Sequence, residues 1–185
     1  MRILLIDNET KYLKNIKASL RHHNIRVVKY TNIPKDASTF DAIILSGGYR
    51  FSIHNHEKDY SKELKLIRTA KKPILGICLG FELICKAHDE KLEKLRVKET
   101  GIIKLKMLRN DKIFYGVNTL KVFENHRWRV KKTKNLIALA SSKDGIEIVR
   151  YRSRTVYGVQ FHPEKFHDKT QGYRILKNFI SIAGQ

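Results

Sequence analysis

The chain has 185 residues, 38 of them lysine or arginine against 18 aspartate or glutamate, giving a formal net charge of +20 at pH 7. That length suits a single domain, residues 1–185, with a sizeable core, and no apolar run approaches the roughly 20 residues that a membrane span requires. The charge has no aromatic recognition motif, zinc pattern or basic helix beside it, so a Lys-rich solvated surface or an acidic protein partner is preferred over nucleic acid.

Residues 2–7 (RILLID) and 41–46 (DAIILS) are short apolar runs with polar ends, and residues 25–30 alternate loosely; all three read as strands. Between the first two, residues 11–21 place Tyr12, Leu13, Ile16 and Leu20 at helical spacing, with Asn8 or Thr10 as the expected N-cap. Gly47-Gly48 closes the third strand, residues 58–70 read as a helix, and residues 73–78 (PILGIC) form a buried strand that enters a helix over residues 79–87. Strand and helix in alternation imply a parallel sheet. After Gly101 the pattern changes to short strands over residues 102–108, 119–123, 136–141, 146–151 and 156–161, followed by a closing helix over residues 171–182. The expected fold is α/β: a mostly parallel central sheet flanked by helices, with antiparallel or mixed strands added in the C-terminal half.

Chemistry concentrates at two places. In Gly76-Ile-Cys78-Leu-Gly80 a buried strand turns sharply into a helix with the cysteine at the turn, the nucleophile-elbow arrangement with sulfur in place of oxygen. The N-terminal amides and dipole of that helix are expected to favour the thiolate and lower its pKa. Read alone, the segment is better explained as a buried cysteine in a glycine-rich junction. Near the other end, residues 158–164 (GVQFHPE) run from a strand into a loop and offer His162 as a base with Glu164 two residues on. Cysteine catalysis uses that pair, an imidazole to move the thiol proton and a carboxylate to hold the ring. Cys85, which a disulfide to Cys78 would not reach along one helix, is expected in the core. Two unpaired thiols fit a reducing, cytoplasmic setting. His22, His23, His54, His56 and His88 lack metal-ligand spacing, so no metal is expected.

Taken together, a G-x-C-x-G elbow and a late F-H-P-E resemble the class I, triad-type glutamine amidotransferases, and the likeness runs from the RILLID strand through Ser46-Gly47-Gly48 to residues 172–179. The resemblance implies a glutaminase with Cys78, His162 and Glu164 as its triad and an oxyanion hole formed by the backbone amides of Gly48 and Leu79. It implies substrate contacts from Gly47, Glu82, His126 and Arg127. It also implies that ammonia passes to a separate synthetase, which could dock on the basic surface and which carries the ATP and Mg²⁺, leaving no cofactor in this chain. PILGICLG, YGVQFHPE and His167 resemble the separate glutaminase subunits of archaeal GMP synthase. The subunits for anthranilate, aminodeoxychorismate and imidazole glycerol phosphate synthesis share most of these features. A hydrolase of another γ-glutamyl compound, and a non-catalytic regulatory or nucleic-acid-binding protein on the same fold, are the rival readings.

Three positions depart from the family pattern. Glu82 stands where the family has glutamine, Tyr49 follows Gly-Gly where proline is usual, and residues 124–130 (ENHRWRV) replace S-H-x-D-E-V, keeping His126 but turning an acidic pair into Trp128 and Arg129. One expectation joins them, that Arg127 or Arg129 neutralises Glu82 or receives the substrate carboxylate; the alternative is that these arginines lie at the surface and face a partner.

Overall fold

The computed structural model describes residues 1–49 and 52–185. Five parallel strands lie in the order β2 (Asn24–Lys29), β1 (Arg2–Asn8), β3 (Ala42–Gly48), β4 (Ile74–Ile77) and β9 (Val156–Val159). The sheet continues antiparallel through β8 (Ile146–Arg150), β7 (Ile137–Ser141), β5 (Glu93–Met107) and β6 (Leu120–Arg129). This is the parallel half with an antiparallel extension that the sequence pattern implies. Among the described residues no helix is long and apolar enough to cross a membrane.

Alternation along the strands divides the core between the two faces of the sheet. From β1, Ile3 and Leu5 join Ile16, Leu20, Ile175, Leu176 and Phe179, the buried sides of α1 (Leu13–Ser19) and α4 (Gly172–Ala183). Leu4 and Ile6 point the other way, to Leu64, Ile67, Phe81 and Ile84 of α2 (Ser61–Thr69) and α3 (Leu79–Ala87). Both faces are therefore covered at β1, β3 and β4, which read as continuous apolar runs for that reason, whereas the edge strand β2 is largely exposed.

Two expectations change. The first helix is shorter than residues 11–21 and has no side-chain cap; Thr10 Oγ1 instead accepts from the Tyr12 amide at 3.2 Å, and the Thr10 amide donates to Asp7 Oδ1 at 3.1 Å. Thr10 thus builds the turn before the helix, while the Asn8 side chain donates to the Ser46 carbonyl and to Glu63 instead. Gly101 marks no boundary: it lies inside the 15-residue β5, opposite Glu124, and β5 begins at Glu93. The lysine-rich residues 91–98 are polar because that stretch is largely exposed, so their strand character is hidden from an apolar pattern.

Candidate active site

β4 ends at Cys78, where the chain turns into α3 with φ 50° and ψ −103°, a left-handed conformation that is strained for any side chain. Two glycines permit the turn. A Cβ on Gly76 would collide with the Gly80 carbonyl, and one on Gly80 would lie 2.5 Å from the Leu45 carbonyl oxygen, so α3 starts almost in contact with β3 and β4. The Cys78 amide donates to the Val159 carbonyl at 2.8 Å, which fastens the elbow to the end of β9.

From β9 the chain runs directly to His162, whose amide donates to the Phe123 carbonyl of β6 at 2.9 Å. His162 Nδ1 lies 2.9 Å from Glu164 Oε1, and Tyr12 meets the ring edge-on at 4.8 Å. With Nδ1–H committed to the carboxylate, Nε2 is the nitrogen left to accept a proton. A methyl on Gly47 would lie 3.1 Å from His162 Cε1 and 3.4 Å from Cys78 Cβ, so sulfur-bearing and imidazole side chains converge on one point above the Gly-Gly turn. Gly48 stands beside Leu79 across that turn.

The thiol itself behaves otherwise than the helix dipole alone implies. Burial first, then the carboxylates of Glu82, Glu124 and Glu164, push its pKa well up, and the Leu79 N–H directed at the sulfur offsets only part of this. The resting group is a thiol, and its proton must leave as the sulfur attacks. Cys85 is fully buried, as expected of a core residue.

A cleft of about 440 Å³ opens at Cys78. Gly48, Leu79 and Glu82 form one wall, Asn125, His126, Arg127 and Trp128 another, and Tyr49, Lys94 and Lys98 the rim. Gly47 lies against the triad. Tyr49 is 64% exposed and carries Lys11 Nζ over its ring at 3.7 Å, and Trp128 packs on His54 at 4.9 Å. Arg127 is exposed.

Arg129 does not neutralise Glu82. Its guanidinium reaches Glu93 Oε2 at 3.5 Å and the Asp144 carbonyl at 3.3 Å, because the register of β5 and β6 sets it opposite Glu93. Glu82 is buried and faces Gln160 Nε2 at 3.5 Å. Burial pushes its carboxyl up to about 7 against the opposing pull of His126 and Gln160, so protonation removes much of the charge that a cation was expected to balance.

His126 also turns inward. Its ring is wholly buried, with Nδ1 2.8 Å from the Trp128 carbonyl and Nε2 3.2 Å from Glu124 Oε2 and 3.9 Å from Glu147 Oε2. Burial lifts both of those carboxyls to about 8, Glu124 further through Glu99 and Asp144, and Glu147 further through Glu124. Neither Glu124 nor Glu147 stands out as a site residue in the sequence. The available signal was Glu124 two residues from His126, on one face of a strand; Glu147 comes from β8 and no local spacing announces it.

Comparison with known proteins follows the same lines. The model of the family Glutamine amidotransferase class-I matches residues 4–183. The chain is 33% identical to a glutamine-hydrolyzing GMP synthase subunit of Pyrococcus abyssi, covering 99% of each chain, and 31% identical to the protein of the same name from Methanothermobacter thermautotrophicus, covering 98% of this chain and 97% of that one. A crystal structure from Thermoplasma acidophilum, assigned as a GMP synthase subunit, superposes with a TM-score of 0.89 at 27% identity, covering 100% of this chain and 94% of the other. A glutamine amidotransferase from Thermotoga maritima shares the fold, with a TM-score of 0.75 at 19% identity over 100% of this chain and 82% of that one.

Proposed function

We propose, from the premise that the chain belongs to the class-I glutamine amidotransferase family, that it hydrolyses glutamine and passes the ammonia to a separate ATP-dependent synthetase that makes GMP from XMP. The observation that carries the chemistry is the convergence of Cys78, on its strained elbow, with the His162–Glu164 pair. His162 Nε2 takes the thiol proton as Sγ bonds to the side-chain amide carbon of glutamine, and the carbonyl oxygen becomes an oxyanion held by the amides of Gly48 and Leu79. The proton then passes to the departing nitrogen, ammonia leaves, and a thioester remains. Water, deprotonated by His162, attacks that thioester; glutamate leaves and the proton returns to the sulfur. Glu164 keeps the imidazole in the tautomer that both steps need.

The lysines at the rim, Lys94 and Lys98, together with Arg127, suit the substrate's carboxylate, and Glu82 in the wall suits its ammonium. The GMP pathway rests on the names of the relatives, whose full length this chain matches. In this reading the ATP and Mg²⁺ belong to the synthetase, which meets the basic face around the cleft, and the reaction is cytoplasmic.

The test is glutamine-dependent formation of GMP from XMP by this chain together with a separately encoded archaeal-type synthetase. Ammonium salts should replace this chain but not the synthetase. Failure to release glutamate from glutamine, alone and with the synthetase, would overturn the chemistry. Glutamate release without glutamine-dependent GMP would overturn the pathway alone.

A further inference from the structure

Behind the cleft, three buried atoms that all carry lone pairs face one another. The His126 ring directs Nδ1 to the Trp128 carbonyl at 2.8 Å, which places the ring proton there and leaves Nε2 as a lone pair. That lone pair looks at Glu124 Oε2 at 3.2 Å and Glu147 Oε2 at 3.9 Å. Glu124 is 0% exposed, and neither of its oxygens has a hydrogen-bond partner; His126 Nε2 and Glu147 Oε2 are likewise without one. Three such groups turned inward, away from water, need a proton or a cation between them.

We infer that Glu124, His126 and Glu147 form a binding site for one divalent transition-metal ion, Zn²⁺ or Mn²⁺. One ligand atom from each lies within 4.8 Å of the others, and this is the one such group among the described residues. The separations of 3.2 and 3.9 Å bracket the edge of a coordination polyhedron with bonds of about 2.1 Å. An imidazole with two carboxylates is a donor set for borderline divalent ions. The groups that orient the ligands are also in place. The Nδ1–H of a ligating histidine normally goes to a carbonyl or carboxylate, as here, and Glu147 Oε1 accepts from Ser142 Oγ at 2.6 Å, which turns Oε2 toward the site. The two carboxylates of the donor set, Glu124 and Glu147, are both buried. An ion of charge +2 balances the pair.

The ion would join β6 to β8, strands separated in the sheet by β7 and β5. β6 also supplies the Phe123 carbonyl that holds the His162 amide. Metal therefore braces the strand against which the catalytic histidine rests.

The experiment uses untagged full-length protein, purified without chelator. Elemental analysis, before and after exposure to Zn²⁺ and Mn²⁺ followed by gel filtration, is expected to give close to one ion per chain. Co²⁺ added to chelator-treated protein is expected to develop visible ligand-field bands and raise the thermal midpoint. Glu124→Gln should weaken Co²⁺ binding by at least about 10-fold, whereas His22→Ala with His23→Ala, which removes an adventitious pair of an exposed and a half-buried histidine, should leave it unchanged. Wild-type protein with no ion above background and no Co²⁺ spectrum would overturn the site, whatever the folding of the variant. So would Co²⁺ bands that persist in Glu124→Gln and vanish in the His22/His23 variant.

Discussion

Gly47→Ala separates the working of the site from the integrity of the fold. The added methyl would lie 3.1 Å from His162 Cε1 and 3.4 Å from Cys78 Cβ. The second distance is ordinary contact; the first requires the imidazole to yield by a few tenths of an ångström. It cannot do so freely, because Glu164 Oε1 holds Nδ1 at 2.9 Å, the Phe123 carbonyl holds the backbone at 2.9 Å, and Tyr12 closes the edge. Gly47 has no left-handed φ to lose, so the strain is confined to the triad and should lower stability by about 1 kcal/mol, the low end of the cost of overpacking. Misplacing the base at a site that works by near-attack geometry costs about 10²-fold in rate, or about 2.7 kcal/mol. Glutamate release, measured by a coupled dehydrogenase assay with the synthetase present, should fall by that factor while the thermal midpoint shifts little. Gly80→Ala is the contrast: its methyl meets backbone, the Leu45 carbonyl at 2.5 Å, and the chain should be unstable or insoluble. Full glutaminase activity in Gly47→Ala would refute the placement of His162 against Cys78.

Cys78→Ala should abolish glutamate release and leave ammonia-dependent GMP formation by the partner intact, and His162→Ala should reduce glutamate release by at least about 10³-fold; comparing the two substrates in one assay checks both. Glu82→Gln removes a carboxylate one helical turn, about 6 Å, from the sulfur, which at an effective dielectric near 20 is worth roughly 3 kcal/mol, or about two pH units in the thiol. Glu82 is charged mainly above pH 7, its carboxyl being raised to about 7, so iodoacetamide labelling of Cys78 should accelerate in this variant chiefly above that pH. Unchanged labelling profiles would count against the contact. Glu63, fully buried with only Asn8 Nδ2 at 3.2 Å, has its carboxyl pushed up to about 8, so its contribution to stability is complete below the unfolded value near 4.5 and is lost as pH rises through 8. Stability of the wild type relative to Glu63→Gln should therefore fall by about 3 kcal/mol between pH 5 and pH 7, read from urea midpoints; a flat difference would refute it.

The parallel half of the fold was legible because its strands are buried on both faces: RILLID, DAIILS and PILGIC are uninterrupted apolar runs, and glycines mark where they turn. Residues 93–98 were not legible as strand, since β5 there exposes most of its lysines and arginine. The triad could be read because Cys78 sits in a glycine pattern that only an elbow needs and because His162 and Glu164 are adjacent in sequence. Arg129 misled for a local reason. The register of β5 and β6 sets it opposite Glu93, and no composition argument gives that partner until the pairing of β6 is known. Glu124 and Glu147 share a pocket only because β8 and β6 fold over the same ground.

Two opposing influences on the sulfur decide when it can react. From the sequence, the start of α3 alone is visible, and a helix N-terminus favours a thiolate. In the fold, desolvation and three carboxylates outweigh that local effect, because fields from Glu82, Glu124 and Glu164 act through a buried, weakly screening medium while the dipole of a nine-residue helix is countered by its own first-turn acid. The free chain thus keeps Cys78 protonated although the base stands beside it. Whatever places positive charge among those carboxylates lowers the barrier to proton transfer: a substrate ammonium beside Glu82, a metal ion on Glu124, or a proton on either. The net charge of +20 does not do this by itself, since the lysines at the rim are exposed and screened by salt within about 10 Å. Reactivity is accordingly expected to rise with occupancy of the cleft, which would tie nucleophile activation to the substrate binding that precedes ammonia release.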